Sequence, residues 1–369
     1  MSRPIEASID KAALRSNYAV ARKHAGGASV FAVVKANGYG HELDIVGEAL
    51  ADADGFALLE LDAAIRLRQH GLRQPILMLE GFFDPRELPV YAEHGLVAVI
   101  HAEEQTRMLH KAKLRSPIGV FAKANTGMNR LGFGLQRYPA VLDELGRCRN
   151  AAHVVAMTHY ADADGPRGVD WQLQRFRAAL GDRRLPVSTA NSAALLRHPQ
   201  TVGDWARPGI MLYGASPFPE VAAAELGLRP AMTLRSRIIA VQQLAAGERV
   251  GYAGTYVAGK PMRIGVVACG YADGYPRHAP SGTPVLVDGK RAPTVGLVSM
   301  DMLCVDLSKL PEAGVGTAAI LWGEGLPVEE IAGTAGTVSY ELLCARTARV
   351  PVVATAVRPA AGKILRNAK

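Results

Sequence analysis

The stretch FAVVKANGYGH, Phe31 to His41, ends an apolar run on a lysine and follows it with asparagine, glycine and tyrosine. Phe31–Val34 has strand composition, and the segment after Lys35 carries turn signals. Lys35 is thus a strand-end residue: either a lysine snorkelling to solvent, or an amine kept among apolar neighbours to attack a carbonyl carbon. The pattern recurs along the chain. VFAVVKAN, GFALLEL, PILMLEG, VAVIHA, IGVFAKAN, VVAMTHYA, LPVSTANS and RPGIMLYG are eight short runs of the same kind. Most gaps between them hold amphipathic helical segments: HELDIVGEALADA, LDAAIRLRQHG, DPRELPVYAEHG, AEEQTRMLHKAK, YPAVLDELGRC and VDWQLQRFRAALG. Such alternation predicts βαβ units and a parallel sheet, and eight units predict an α/β fold closed as a (β/α)8 barrel of the TIM type.

At or near the C-terminal ends of these strands lie Lys35, Glu60, Glu80, His101, Lys123, His159, Asn191 with Ser192, and Arg207. A barrel packs its interior with apolar side chains and builds its site from loops at the C-terminal face. Lys35, Lys123, His159 and Arg207 are therefore expected in one mouth, although each alone reads as a polar strand end facing water.

After residue 228 the texture changes. MTLRSRIIAVQQL, ERVGYAGTYVA, RIGVVACGYADGYP, TPVLVDGKRAPTVGLVSMDMLCVDL and GTAAILWG are rich in strand and turn signals. Helical periods return only at PVEEIAGTAG and SYELLCARTA. Two domains are expected: a barrel over 1–228 and a mostly β domain over 229–369, joined at AAAELGLRPAM.

Composition narrows the classes. With 49% hydrophobic and 21% charged residues, the chain is ordinarily globular. No apolar run is long enough to span a bilayer, and MSRPIEASIDKAALRSNY has no apolar signal core, so a cytoplasmic protein with no membrane role is expected. The net charge of +8 is spread among acids, with no block of like charge and no nucleic-acid motif, so no nucleic-acid partner is expected. Cys148, Cys269, Cys304 and Cys344 form no CxxC pair; four buried, reduced thiols and no metal site are expected.

A strand-end lysine can form a Schiff base with a substrate carbonyl or with pyridoxal phosphate. The cofactor reading gains from scattered phosphate partners, Tyr39, Ser192, the backbone at Gly209 and Ile210, and Tyr340. It gains more from Arg207, a residue that donates a hydrogen bond without giving up a proton.

Nine motifs, VVKANGYGH, KANTGMNRLGF, MTHYADAD, TANSAA, RPGIMLYG, VGYAGTY, GYADGYPR, VSMDM and SYELLCA, resemble in this order the motifs of alanine racemases, from about residue 4 to 352. LEGFF and the general phrasing resemble the catabolic branch of that family. The resemblance implies an isomerase that interconverts L- and D-alanine with pyridoxal 5'-phosphate as cofactor. Lys35 matches the lysine that holds the cofactor and serves as base on one face of the substrate's Cα. Tyr252 matches the second base, on the opposite face. His159 and Arg207 match the chain that links Tyr252 to the pyridine nitrogen. Tyr39, Ser192, Gly209, Ile210 and Tyr340 match the phosphate shell; Arg130 and the Met300 amide match the groups that meet the substrate carboxylate. Lys123 matches a lysine often carbamylated in the family, with a bound anion such as chloride as the rival arrangement. Tyr271, Arg277 and Asp301 match gate residues. The resemblance also implies a homodimer in which Tyr252 and Met300 complete the other subunit's site, and a role in D-alanine supply for peptidoglycan or in D-alanine breakdown.

Some positions depart from the pattern. Leu297 stands where an arginine is common, RVPVVAT replaces a segment with a second arginine and a tyrosine, and Ala124 replaces a bulkier residue. Other readings keep the lysine and change the rest. A racemase of serine, lysine or a broader range shares the fold. A barrel decarboxylase would place a carboxylate where Arg207 stands. A non-catalytic cofactor carrier would need neither Tyr252 nor the second domain.

Overall fold

The computed structural model describes residues 3–355. The chain divides into two compact units, Ser16–Arg229 and Met1–Arg15 with Pro230–Lys369. Its strands are, in chain order, β1 (Glu6–Asp10), β2 (Ser29–Val33), β3 (Gly55–Leu58), β4 (Ile76–Met78), β5 (Leu96–Ile100), β6 (Ile118–Lys123), β7 (Ala151–Met157), β8 (Val187–Ser188) and β9 (Trp205–Ala206). They continue as β10 (Met232–Leu244), β11 (Arg249–Val250), β12 (Tyr256–Val257), β13 (Met262–Val267), β14 (Pro284–Val287), β15 (Lys290–Val295), β16 (Leu303–Asp306), β17 (Ala318–Trp322) and β18 (Val352–Thr355).

In the first unit β2 to β9 form a parallel sheet in the order β8-β7-β6-β5-β4-β3-β2-β9. The Asp204 amide donates to Val187 O (2.7 Å) and the Arg207 amide to Ala190 O (2.8 Å), which joins the two edges and closes the barrel. β5 and β6 are buried along their whole length, as strands covered on both faces must be. Phe31 on β2 and Phe121 on β6 are not sheet neighbours, yet their rings meet edge to face at 5.8 Å. They meet across the interior, where Phe31 also stacks on Trp205 at 4.2 Å. The interior is a packed aromatic core, not a channel.

The six predicted helical segments form helices: Leu43–Ala49, Leu61–Gln69, Leu88–His94, Glu103–Lys111, Tyr138–Gly146 and Asp170–Leu180. The eighth strand differs from expectation. RPGIMLYG is not a strand; Ile210–Tyr213 is a buried 3-10 turn, and the eighth strand is the pair Trp205–Ala206 just before it. Pro208 gives the ladder only its carbonyl, which accepts from the Val33 amide at 3.1 Å, and the Gly209 amide bonds to the Ser192 hydroxyl, so the pairing stops there.

The second unit is mostly β. β10 pairs with β17 through its first half and with β13 through its second, with a register shift between Ile238 and Ala240. The pairings β13-β16-β15-β14-β17 complete a ring with β10. β1 pairs antiparallel with β10 and parallel with β18. The first fifteen residues thus cluster with the β unit, not with the barrel expected over 1–228. Of the cysteines, Cys148 and Cys269 are buried, Cys304 is partly buried, and Cys344 is exposed, which corrects the expectation of four buried thiols.

Candidate active site

The nine strand-end residues sit at or just beyond the C-terminal ends of the eight parallel strands, so they share one face of the barrel. Lys35 lies two residues beyond β2. Ala36, Asn37, Gly38 and Tyr39 then take positive φ values of 52°, 53°, 65° and 51°. Left-handed backbone costs a non-glycine residue roughly 1–2 kcal/mol, so this turn needs support. Asn37 accepts a hydrogen bond from the Leu43 amide (2.9 Å) and donates to Glu42 (2.9 Å). Tyr39 stacks on Tyr213 at 4.5 Å, and the Tyr213 hydroxyl donates to Val33 O at 2.9 Å. The turn is thereby pinned to the strand that presents Lys35.

Arg207 is 4% exposed. Its guanidinium donates to the Ser188 hydroxyl, to Thr158 O (2.8 Å) and to Thr189 O (3.3 Å). One of its nitrogens lies 3.4 Å from His159 Nδ1. Burial pushes Arg207 down to about 10, which still leaves it cationic at neutral pH. Burial also holds His159 well below the usual imidazole value, aided by repulsion from Arg207, Lys123, Arg130 and Lys35. Lys123, the last residue of β6, is buried and pushed down to about 8. Burial is the main cause; Arg207, Arg130 and Lys35 add to it and Glu80 opposes it. Lys35, Arg130 and Arg207 thus lie near enough to Lys123 and His159 to lower the proton affinity of both, and the five share one cationic mouth.

Tyr39, Ser192 and Gly209 also meet. The Ser192 hydroxyl accepts from the Gly209 amide at 2.9 Å, and a Cβ at Gly209 would collide with the Tyr39 hydroxyl. Ile210 is the next residue and is fully buried. Ser192 opens the helix Ser192–Arg197, which Asn191 caps by accepting from the Ala194 amide at 2.9 Å. Two hydroxyls, the first turn of that helix and a glycine that leaves room are the groups here that could hold an anion. Glu60 is exposed, and His101 lies 3.0 Å from Glu80 O.

Tyr252, Tyr271, Arg277, Met300, Asp301 and Tyr340 lie in the other unit. Tyr252 sits on the tip between β11 and β12 and is 72% exposed, while Met300 is 52% exposed. The Tyr271 and Ala272 amides donate to Ser299 O and Met300 O, both at 3.0 Å, so GYADGY and VSMDM form one surface. That surface is braced by a buried carboxylate absent from the sequence expectations. Asp273 pairs with Arg3 (2.6 Å) and Arg349 (2.7 Å), and Arg349 also reaches Asp301 (2.5 Å). Arg349 belongs to the departing RVPVVAT segment; Arg3 and Arg349 are too far from Asp273 in sequence for any local signal to link them.

Two family models match the chain: "Alanine racemase, N-terminal domain" over residues 9–217 and "Alanine racemase, C-terminal domain" over 231–354. The chain belongs to the alanine racemase family. An alanine racemase of Thiobacillus denitrificans is 58% identical over 350 residues, covering 95% of each chain. A "catabolic" alanine racemase of Salmonella typhimurium is 51% identical over 356 residues, covering 96% of this chain and all of that one. The crystal structure of a "biosynthetic" alanine racemase from Pseudomonas aeruginosa superposes with a TM-score of 0.93 at 46% identity, over 96% of this chain and all of that one. Similar alanine racemases thus include both descriptions. The family bears out the expected (β/α)8 barrel with a β-rich second domain. Among the described residues no helix is long and apolar enough to cross a membrane, and no group of three or more His, Cys, Asp or Glu is arranged to hold a metal.

Proposed function

We propose that this chain interconverts L- and D-alanine with pyridoxal 5'-phosphate, as a homodimer whose sites combine one subunit's barrel with the other's β unit. The observation that carries the reading is Arg207, a buried cation held by three acceptors beside His159, in the same mouth as Lys35. The residues present fit the cofactor. Lys35 would hold it covalently through Nζ. Tyr39, Ser192, the Gly209 and Ile210 amides and Tyr340 would bind its phosphate, and Arg207 would face its pyridine nitrogen. When bound, pyridoxal phosphate draws electrons from the substrate's Cα and so makes the hydrogen there acidic.

The protein's own groups set the outcome. Racemisation needs a proton removed from one face and another delivered to the opposite face. Lys35 Nζ serves one face and Tyr252 Oη of the partner subunit the other. Arg207 donates a hydrogen bond and keeps its proton, so it would leave the bound cofactor a shallow electron sink and favour return of a proton to Cα over transamination. Arg130 and the partner subunit's Met300 amide hold the substrate carboxylate. Tyr271, Arg277 and Asp301 form its gate. The lowered proton affinity of Lys123 leaves part of its amine neutral at physiological pH, the form that adds CO2 with loss of a proton. The resulting carbamate would pair with Arg130.

The test is an absorbance spectrum of the purified protein, then borohydride reduction and peptide mapping, with L- and D-alanine turnover on the same sample. Reduction should lock the cofactor onto Lys35, and turnover should run both ways. In Lys35→Ala the reducible band should disappear; a covalent cofactor retained there would sink the assignment.

A further inference from the structure

Gln172 is fully buried on the helix Asp170–Leu180. Its Oε1 accepts from the Ala161 amide at 2.7 Å. Its Nε2 donates to the Thr126 hydroxyl at 2.8 Å and to His159 O at 3.1 Å. The Thr126 and Thr158 hydroxyls lie 2.8 Å apart, and the Thr158 hydroxyl donates to Ala124 O at 3.1 Å. Donor counting orients the network. Thr158 spends its single hydrogen on Ala124 O, so it accepts from Thr126. Thr126 in turn accepts from Gln172. The chain runs one way, from amide to hydroxyl to hydroxyl to carbonyl, with every hydrogen used.

The two hydroxyls of this chain lie on the two arms of the site. Thr126 belongs to the loop between Lys123 and Arg130. That loop is closed by Asn125, which accepts from the Gly127 and Asn129 amides at 3.1 and 3.0 Å. It rests on Trp171, whose ring a Cβ at Gly127 would strike. Thr158 and His159 belong to the end of β7, where Arg207 grips Thr158 O. The Gln172 amide bonds to both arms at once, where no water is needed to complete the network.

We propose that Gln172, acting through Thr126 and Thr158, is a positioning residue that sets the spacing between the Lys123–Arg130 arm and the His159–Arg207 arm, and so the fit of the substrate carboxylate. This deepens the racemase reading and rests on Arg130 meeting that carboxylate. A glutamine on a helix facing the barrel wall would otherwise be an unusual place for three buried hydrogen bonds, since an apolar side chain packs there without them.

The test uses the cofactor-loaded enzyme. KM and kcat for L-alanine, the cofactor absorbance and Tm are measured for Gln172→Met, Thr126→Val, Thr126→Ser and the double variant Gln172→Met/Thr126→Val, with Arg130→Ala alongside. KM should rise about tenfold in Gln172→Met and in Thr126→Val, with cofactor absorbance unchanged, because small displacements of a positioning group carry large costs. Thr126→Ser, which keeps the hydroxyl, should restore the wild-type KM. The double variant should be no worse than either single one, since both cut the same chain. If Gln172→Met does not fold, the Thr126 pair decides. A lowered Tm with KM unchanged in Thr126→Val would reduce the network to a structural role and overturn the proposal. If Arg130→Ala raises KM and Thr126→Val does not, the positioning proposal fails alone. If Arg130→Ala leaves KM unchanged, the carboxylate reading fails and this proposal falls with it.

Discussion

Lys123 concentrates the electrostatics of the mouth in one amine. Its proton affinity falls from the ordinary 10.5 to about 8. Well below pH 8 both folded and unfolded chains carry this proton, and the folded chain bears the cost of burying it among cations. Between about 8 and 10.5 the folded amine is neutral while the unfolded one is charged, so stability rises with pH through that window. The full cost is about 3 kcal/mol at neutral pH. In CO2-depleted buffer, Lys123→Met should remove this slope; urea titrations across the window would show it, and equal slopes in both proteins would refute it. With CO2 restored, intact mass should show one added CO2 on the wild type and none on Lys123→Met. The residue scale is also where sequence reading is uneven. Lys35 and His159 are legible because each closes an apolar run, and a barrel sends such ends to one face; Arg207 opens the run RPGIMLYG and is a strand end only because the eighth strand is Trp205–Ala206 before it. Gln172 is not legible, because a glutamine among helix polar residues looks like a solvent face until the helix is packed. Asp273 lies within a quoted motif, yet its two arginines come from opposite ends of the chain.

The elements behave as composition and turn chemistry dictate. The left-handed turn after Lys35 depends on Gly38, where φ is +65° and a Cβ would lie 2.8 Å from Val46 Cγ2. Gly38→Ala should destabilise the barrel by about 1–3 kcal/mol, through strain and overpacking together. Denaturant midpoints would measure it. Because the turn is tied to β2, the variant should also weaken cofactor retention; a midpoint within error of wild type would show that the turn tolerates a side chain. The helices flanking the barrel are legible from their period. The eighth strand is not placed by the same logic, because RPGIMLYG has strand-like apolarity but is a buried turn. A short apolar run does not reveal whether its amides are spent on a ladder or, as at Gly209, on a serine hydroxyl. β1 is a second case. Its five residues look like the start of the barrel domain, and only their pairing with β10 and β18 assigns them to the other unit.

At the scale of the molecule, the proposed roles of Lys35 and Tyr252 as opposite bases divide the chemistry between two units and raise the question of which copy supplies which. Lys35, His159 and Arg207 belong to the barrel unit, Tyr252 and Met300 to the β unit, and Tyr252 is 72% exposed in the single chain. A phenol that must deliver a proton in a water-excluded site gains nothing from such exposure unless another surface covers it. The proposed isologous dimer would provide that surface twice, each barrel meeting the other's β unit by the same rotation. The arrangement can be tested with two inactive proteins. Lys35→Ala lacks one base and Tyr252→Phe lacks the other. If sites are shared across the dimer, a mixed dimer has one site with both defects and one with neither. Random exchange of equal amounts makes half the dimers mixed, so about a quarter of wild-type activity should return. If each site draws both bases from one chain, every site in the mixture keeps one defect and nothing returns. Co-refolding the two variants, with L-alanine turnover followed against each alone, reads the difference directly, and no recovery in a sample shown to contain mixed dimers would refute the composite site while leaving the roles of Lys35 and Tyr252 intact.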